Sequence, residues 1–311
     1  MNVEYNKMFV SAVDGLEIHY NVYEPEGNDK GIVIQGMHGM AEHKERYDMF
    51  GKYLAERGYT FVMSAHRGHK GAMKSSDDYG YMGVDGLNNA AEDGNTLTAI
   101  LKKQYPNKKI ILFGHSMGSL IARLYFQKYA DNLDGLILCG APSDNPASKM
   151  GVMLAKAVKS IKGGRHRSKL LNGLAFGANN TRTEKRTVFD WLSVNQKNVD
   201  DYIADEACGY MFTAQSFTDL LQSIVDVYSD YPKPLKNPDC PVLFIAGKED
   251  PCGNYGDGVV SAKEHMEKQG VKNVSVKLYE NMRHEILNED DWEVVLKDIL
   301  DFINNSVVVS A

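Results

Sequence analysis

Short apolar runs that alternate with helical stretches leave this chain few folds to choose from. "GIVIQG" precedes a helix expected over about 46–57, and "YTFVMSA" follows it. A helix over about 87–105 comes next, then "KKIILFG", a helix after Ser116, and "LDGLILCG". Runs of this length bounded by glycines read as buried strands, and their alternation with helices predicts a parallel sheet with helices on both faces. Before it, "KMFVSA" and "LEIHYNVYE" alternate apolar and polar residues around Asp14-Gly15, as a β-hairpin does. The alternation stops near Ala141-Pro142. From about 145 to 236 the pattern is helical, without a convincing strand. It resumes at "CPVLFIAG", a helix through 262–268, "VSVKLYE" and a last helix with Trp292, Val295, Leu296, Ile299 and Ile303 on one face. The expected organisation is a core of 1–141 and 237–311, with 142–236 inserted as a helical cap.

Composition narrows the function. Of 311 residues, 43% are hydrophobic and 24% charged, the balance of an ordinary globular protein. A net charge of −6 offers no basic footprint, so no nucleic-acid partner is expected. No apolar stretch reaches the length of a membrane helix, and "MNVEYNKMFVSAVDG" lacks the apolar core of a secretory signal. Cys139, Cys208, Cys240 and Cys252 are scattered without metal-type spacing. Reduced cysteines in a cytoplasmic protein are the expectation. Composition does not bear on oligomeric state.

"ILFGHSMGSLIARLYF" places a serine between two glycines where a strand turns into a helix. Gly114-His115-Ser116-Met117-Gly118 fits G-x-S-x-G, whose glycines permit a tight turn and whose serine stands clear of the sheet. The alternative is a glycine-rich turn with an incidental serine; the flanking strand and helix favour the catalytic reading. A serine hydroxyl is a poor nucleophile at neutral pH and needs a base within reach. His265 falls in the helical stretch "SAKEHMEKQG" and should face solvent. His284 in "YENMRHEIL" follows a strand, on the sheet edge where Ser116 stands, and is the expected base. Its acid must come from the same edge. Asp250, fixed before Pro251, is favoured over Glu249, which is adjacent, and over Asp144 in "LILCGAPSD". The oxyanion of a tetrahedral intermediate needs backbone donors: Met117, after the serine, and Met40, in the loop where Gly39 lets the chain bend. His38 and His43 are read as polar groups shaping that loop, not as metal ligands.

The blocks "HGMAEHKERY", "HRGH", "GHSMGSLIA", "GKEDPCG" and "NMRHEIL", in this order, resemble those of the α/β-hydrolase superfamily, within it the monoacylglycerol lipase and lysophospholipase-like serine hydrolases. The resemblance implies an α/β-hydrolase fold, Ser116, Asp250 and His284 as a triad, Met40 and Met117 as oxyanion donors, and a helical cap. It departs at two positions: Ala65 stands where family members often carry Asp before "HRGH", and Lys70 follows His69. The expected activity is hydrolysis of small acyl esters of monoacylglycerol or lysophospholipid type, with no metal or organic cofactor. An aminopeptidase or amidase is the alternative enzyme; it would need a carboxylate for the substrate ammonium, with Glu184, Asp205 and Glu206 as candidates. A non-catalytic scaffold that binds small molecules is the remaining reading.

"KMGVMLAKAVKSIKGGRHRSKL" stands apart. Residues 149–169 carry seven Lys or Arg and no Asp or Glu. Met150, Leu154, Ala157, Val158 and Ile161 fall on one helical face, with Lys156, Lys159 and Lys162 largely away from it. Such a face either packs on the core or, beside so many cations, touches an anionic membrane surface.

Overall fold

The strands form one sheet in the order β1-β2-β4-β3-β5-β6-β7-β8. They are β1 (Asn2–Val10), β2 (Glu17–Glu24), β3 (Ile32–Met37), β4 (Thr60–Ser64), β5 (Lys109–His115), β6 (Gly135–Cys139), β7 (Val242–Gly247) and β8 (Val274–Tyr279). The computed structural model describes residues 1–308. β1 and β2 pair antiparallel, and β2 meets β4 antiparallel; every pairing from β4 through β8 is parallel. The expected hairpin is present, its first strand beginning well before "KMFVSA" because Asn2–Glu4 also pair with β2.

Parallel neighbours need crossovers, and helices supply them: α1 (Asp48–Glu56), α2 (Gly86–Gln104), α3 (Met117–Tyr129) and later α8 (Asp257–Lys268); α9 (Trp292–Phe302) follows the last strand. Because strand side chains alternate faces, each central strand feeds two cores. Ile110 and Leu112 of β5 pack with Leu97 and Leu101 of α2, Leu120 of α3 and Val259 of α8. Ile111 and Phe113 pack on the opposite face with Phe50 and Leu54 of α1 and Val295, Leu296 and Ile299 of α9.

Between β6 and β7 lie α4 (Ser148–Lys162), α5 (Lys169–Phe176), α6 (Gln196–Ala204) and α7 (Ala214–Val227), and no strand of the sheet among the described residues. Ser168, Asn195 and Thr213 cap α5, α6 and α7, each accepting a backbone N–H through its side chain. α7 buries Phe217 and Leu220 in the core that also holds α2 and α3.

The loop after β4, which carries "HRGH", is tied down by charge. Arg67 donates to Asp93 on α2 (2.6 Å), to Asp14 (2.8 Å) and to Ser11 (2.8 Å). Arg67 thus finds its carboxylates on the hairpin turn and on α2. Arg67 and Asp93 are 3% and 8% exposed, so removing one partner strands the other in a poorly solvated site. Arg67→Met should cost about 3–5 kcal/mol in chemical denaturation. A loss under about 1 kcal/mol would reduce the bridge to the level of an exposed pair.

Candidate active site

Ser116 occupies the turn from β5 into α3 at φ 54°, ψ −118°, a backbone region that non-glycine residues seldom visit. The turn holds because its polar groups are engaged: Ser116 N–H donates to Cys139 O (2.9 Å), and the Ser119 hydroxyl donates to Ser116 O (2.6 Å). Its glycines are steric necessities. A Cβ on Gly114 would lie 2.4 Å from Gly118 O, and one on Gly118 would lie 2.1 Å from Met37 O.

His284 arrives from the loop after β8. Its Nε2 is 2.8 Å from Ser116 Oγ, and its Nδ1 is 2.9 Å from Asp250 Oδ2, in the loop after β7. Asp250 is fully buried, and its other oxygen accepts Cys252 N–H (2.8 Å). The carboxylate therefore holds the proton on Nδ1 and leaves the Nε2 lone pair facing the serine. Burial alone would lower the pKa of His284; the adjacent Asp250 charge and hydrogen bond outweigh it and raise it above 6.5. Asp144 is exposed, and Glu249 stands near Arg283 (3.7 Å) at 45% exposure. His265 does not face solvent as expected. It is half-buried against Tyr228 and Tyr231, because α8 turns that side toward the end of α7.

Met117 opens α3 with its residue buried, and Met40 lies in the loop after β3. That loop is pinned on both sides of Met40. His38 Nε2 accepts His66 N–H (3.1 Å), which fixes the proton on Nδ1, where it is donated to Gly39 O (2.8 Å). Gly39 N–H donates to Glu42 (2.5 Å). Ala41 N–H donates to His69 Nε2 (3.2 Å), and Ala41 O accepts from Tyr202 OH (2.9 Å). His43 bridges Glu45 (2.7 Å) and Asp205 (2.8 Å), joining the loop to the end of α6. Cys208 also lies close to His43 and Asp205, near enough for a shared ion; the two hydrogen bonds of His43 already account for the grouping.

Beneath the loop Arg46 donates to Glu42 (2.9 Å) and to both oxygens of Glu285 (2.6 and 2.7 Å), and Asn198 completes the group (2.7 Å). Sequence reading passed over Glu42, Arg46 and Glu285. The four-residue spacing of Glu42 and Arg46 inside "HGMAEHKERY" was the available signal; Glu285 gave none, since its partner lies 239 positions away.

Two cavities meet at Ser116. One, of about 330 Å³, is lined by His284, Phe176, Phe189, Trp191, Tyr202 and Tyr210, with Glu42 and Glu285 in its wall. The other, of about 360 Å³, is lined by Met117, Leu120, Leu154, Leu171, Leu174 and Ile224. Ser116, Met40 and Phe176 border both. Of the acidic residues considered for an ammonium, Glu184 pairs with Arg283 (2.9 Å), Asp205 with His43, and Glu206 is exposed; none lines either cavity.

Residues 28–291 match the family model described as serine aminopeptidase, S33. The chain belongs to this family. Similar proteins include a monoacylglycerol lipase of Mycolicibacterium smegmatis, 24% identical across 94% of this chain and 95% of the relative. A proline iminopeptidase of Pestalotiopsis fici is 26% identical across 92% and 95%. Among solved structures, a thermostable carboxyl esterase from Bacillus coagulans, crystallised with glycerol, superposes with a TM-score of 0.88 at 29% identity, covering 99% of both chains.

The electrostatics predict a titration. His66 and His115 are driven to about 3 and His69 to about 4, all chiefly by burial, and buried His38 falls well below 6.5. In imidazole NMR these four should stay neutral around pH 7 while His284 titrates above 6.5. Asp250→Asn should move His284 below that value. A native His284 titrating below 6.5 would mean that Asp250 does not govern it.

Proposed function

We propose that this carboxylic-ester hydrolase cleaves monoacyl esters, of monoacylglycerol or lysophospholipid type, through an acyl-enzyme on Ser116. The supporting observation is the junction at Ser116: a hydroxyl 2.8 Å from a carboxylate-held imidazole, with a cavity on either side. Ser116 Oγ attacks the carbonyl carbon as its proton passes to His284 Nε2. Asp250 stabilises the imidazolium that forms. The N–H groups of Met40 and Met117 receive the oxyanion, each such donor being worth about 2.7–4 kcal/mol. His284 then returns the proton to the departing alkoxide. Water, deprotonated by the same nitrogen, attacks the acyl-enzyme; the bond from the acyl carbon to Ser116 Oγ then breaks, His284 returns the proton to Oγ, and the acid leaves.

Proton return dictates which cavity takes which part of the ester. The leaving oxygen must lie beside His284 Nε2, so the alcohol occupies the cavity that His284 lines. The acyl chain occupies the aliphatic one, which His284 does not line. On this reading 142–236 is a cap set between core segments 1–141 and 237–311, since α4, α5 and α7 supply most of the aliphatic wall.

The family description and the iminopeptidase relative keep the aminopeptidase reading in play. Cleavage beside a free amino terminus needs a carboxylate for the ammonium. Glu42 and Glu285, the acids in the alcohol-side cavity, are both committed to Arg46. That commitment favours the ester.

An organophosphonate should label the protein once, at Ser116. Monoacylglycerols or lysophospholipids should turn over well and aminoacyl anilides poorly, and Ser116→Ala should abolish all of it in the same preparation. Intact-mass analysis placing the label elsewhere, or preferred anilide cleavage, would overturn the reading.

Asp250→Asn should lower turnover roughly 10⁴-fold, whereas Asp144→Asn should be mild. Only neutral His284 can accept the serine proton, and its pKa is raised, so kcat/KM should fall as pH drops through a point above 6.5. Reversed phenotypes in the two stably folded variants would move the role to Asp144.

A further inference from the structure

His284 is fastened through both of its chain neighbours to residues 190–195, which belong to the segment between β6 and β7. On one side, the Arg283 guanidinium donates to Asp190 O (2.9 Å) and Ser193 O (3.3 Å), and Arg283 N–H donates to Glu289 Oε1 (2.8 Å). On the other, Glu285 N–H donates to Leu192 O (2.7 Å). The Trp191 ring packs on the imidazole itself, 5.0 Å between centroids. Glu289 closes the group. Its carboxylate, 2% exposed, also accepts the Ser193 hydroxyl (2.6 Å) and the N–H groups of Val194 (3.0 Å) and Asn195 (3.2 Å).

A buried carboxylate is costly unless hydrogen bonds replace its water, and here four donors from two distant parts of the chain do so. No cation pairs with Glu289 among the described residues; Arg283 pairs with Glu184 (2.9 Å) instead. Burial raises the pKa of Glu289, and its hydrogen bonds oppose that rise. Apolar side chains of similar volume would join the two parts of the chain without such a cost. What they would lack is direction. Direction matters here because His284 must keep Nε2 2.8 Å from Ser116 Oγ and Nδ1 2.9 Å from Asp250 at the same time. Glu289 lines neither cavity at Ser116, so it reaches the chemistry only through the backbone of the His284 loop.

We propose that Glu289 is a positioning residue for the base: by binding Arg283 N–H together with Ser193, Val194 and Asn195, it sets the His284 ring at the angle that serves Ser116 and Asp250 together. The inserted helical segment then holds the imidazole in place as well as lining the cavities. The inference rests on the proposed chemistry of Ser116 and His284, but the spectroscopic arm below reads the imidazole without substrate.

The test compares Glu289→Ala, Glu289→Gln and Ser193→Ala with the parent chain, each checked for folding by near-UV circular dichroism. Imidazole NMR follows the titration of His284, and a dissolved short-chain ester gives kcat, KM and the pH profile of kcat/KM. Glu289→Ala should lower kcat about 100-fold and leave KM within about twofold, since a displaced base is felt in the transition state. Glu289→Gln keeps one acceptor oxygen and should recover part of that loss. Ser193→Ala removes a single bond and should lose least. In both Glu289 variants the pKa of His284 should fall, because a ring turned from Asp250 loses the charge and hydrogen bond that raise it. The acid limb of kcat/KM should move to lower pH with it. Folded Glu289 variants with native kcat and native His284 titration, or with a loss confined to KM, would make Glu289 a structural tie and overturn the proposal. Should Glu289→Ala not fold, Glu289→Gln and Ser193→Ala decide by the same readouts. A parent chain that hydrolyses no ester would count against the proposed function alone, and the His284 titration would still decide the role of Glu289.

Discussion

The approach of two backbones, α3 at Gly118 and β3 at Met37, sets the position of almost everything at the sheet edge. A single methyl on Gly118 would overlap the Met37 carbonyl, so the helix can begin this close to the neighbouring strand only with a bare Cα. From that contact follow the tight turn that lifts Ser116 and the nearness of the loop after β3. Loop and helix start are adjacent because β3 and β5 pair in parallel and end together. The unusual backbone of Ser116 costs of order 1–3 kcal/mol, and it persists because packing on both sides leaves no relaxed alternative.

Around this contact the loops are held by buried polar groups, not by apolar packing. Arg46 gathers Glu42, Glu285 and Asn198, and so joins the loop after β3, the loop after β8 and α6. Burial raises the pKa of Glu42, while the Arg46 charge overrides burial and holds Glu285 low. Neutral imidazoles do similar service. His38 and His69 each accept a backbone N–H at Nε2 and donate from Nδ1, so each bridges two segments without carrying charge into the interior. A protonated ring could no longer accept, and its bridge would open.

What could be read from sequence follows from what is local. The strand runs and the glycines flanking Ser116 are decided within a few residues, and the sheet appears where those runs lie. Ser116, Asp250 and His284 could be nominated because parallel strands send their loops to one edge, and the structure brings the three into hydrogen-bond contact. Of the Arg46 group only Glu42, 4 positions away, left a local sign; Glu285, 239 positions away, left none. The α4 helix, whose apolar face was left with two readings, shows a related limit. Helical spacing identifies which residues share a face, but the neighbour decides which face is covered, and α7 covers Val152 and Ala155 instead of Met150 and Ile161. His265 was likewise placed by its own helix, whereas Tyr228 and Tyr231 determine its surroundings.

The sheet also orders events in time. Ser116 and the loop carrying Met40 belong to strands β3 and β5, but the imidazole facing the serine lies 168 positions further along. Its carboxylate follows β7, a strand that joins the sheet only after the chain has run through four helices. Synthesis proceeds from the amino terminus, so the turn that bears the serine emerges long before the residues able to take its proton. Until β7 and β8 add themselves beyond β6, a nascent chain has a hydroxyl with no base. The last two strands therefore act as a chemical latch: the proposed reactivity is withheld from a half-made molecule and begins when the sheet is complete.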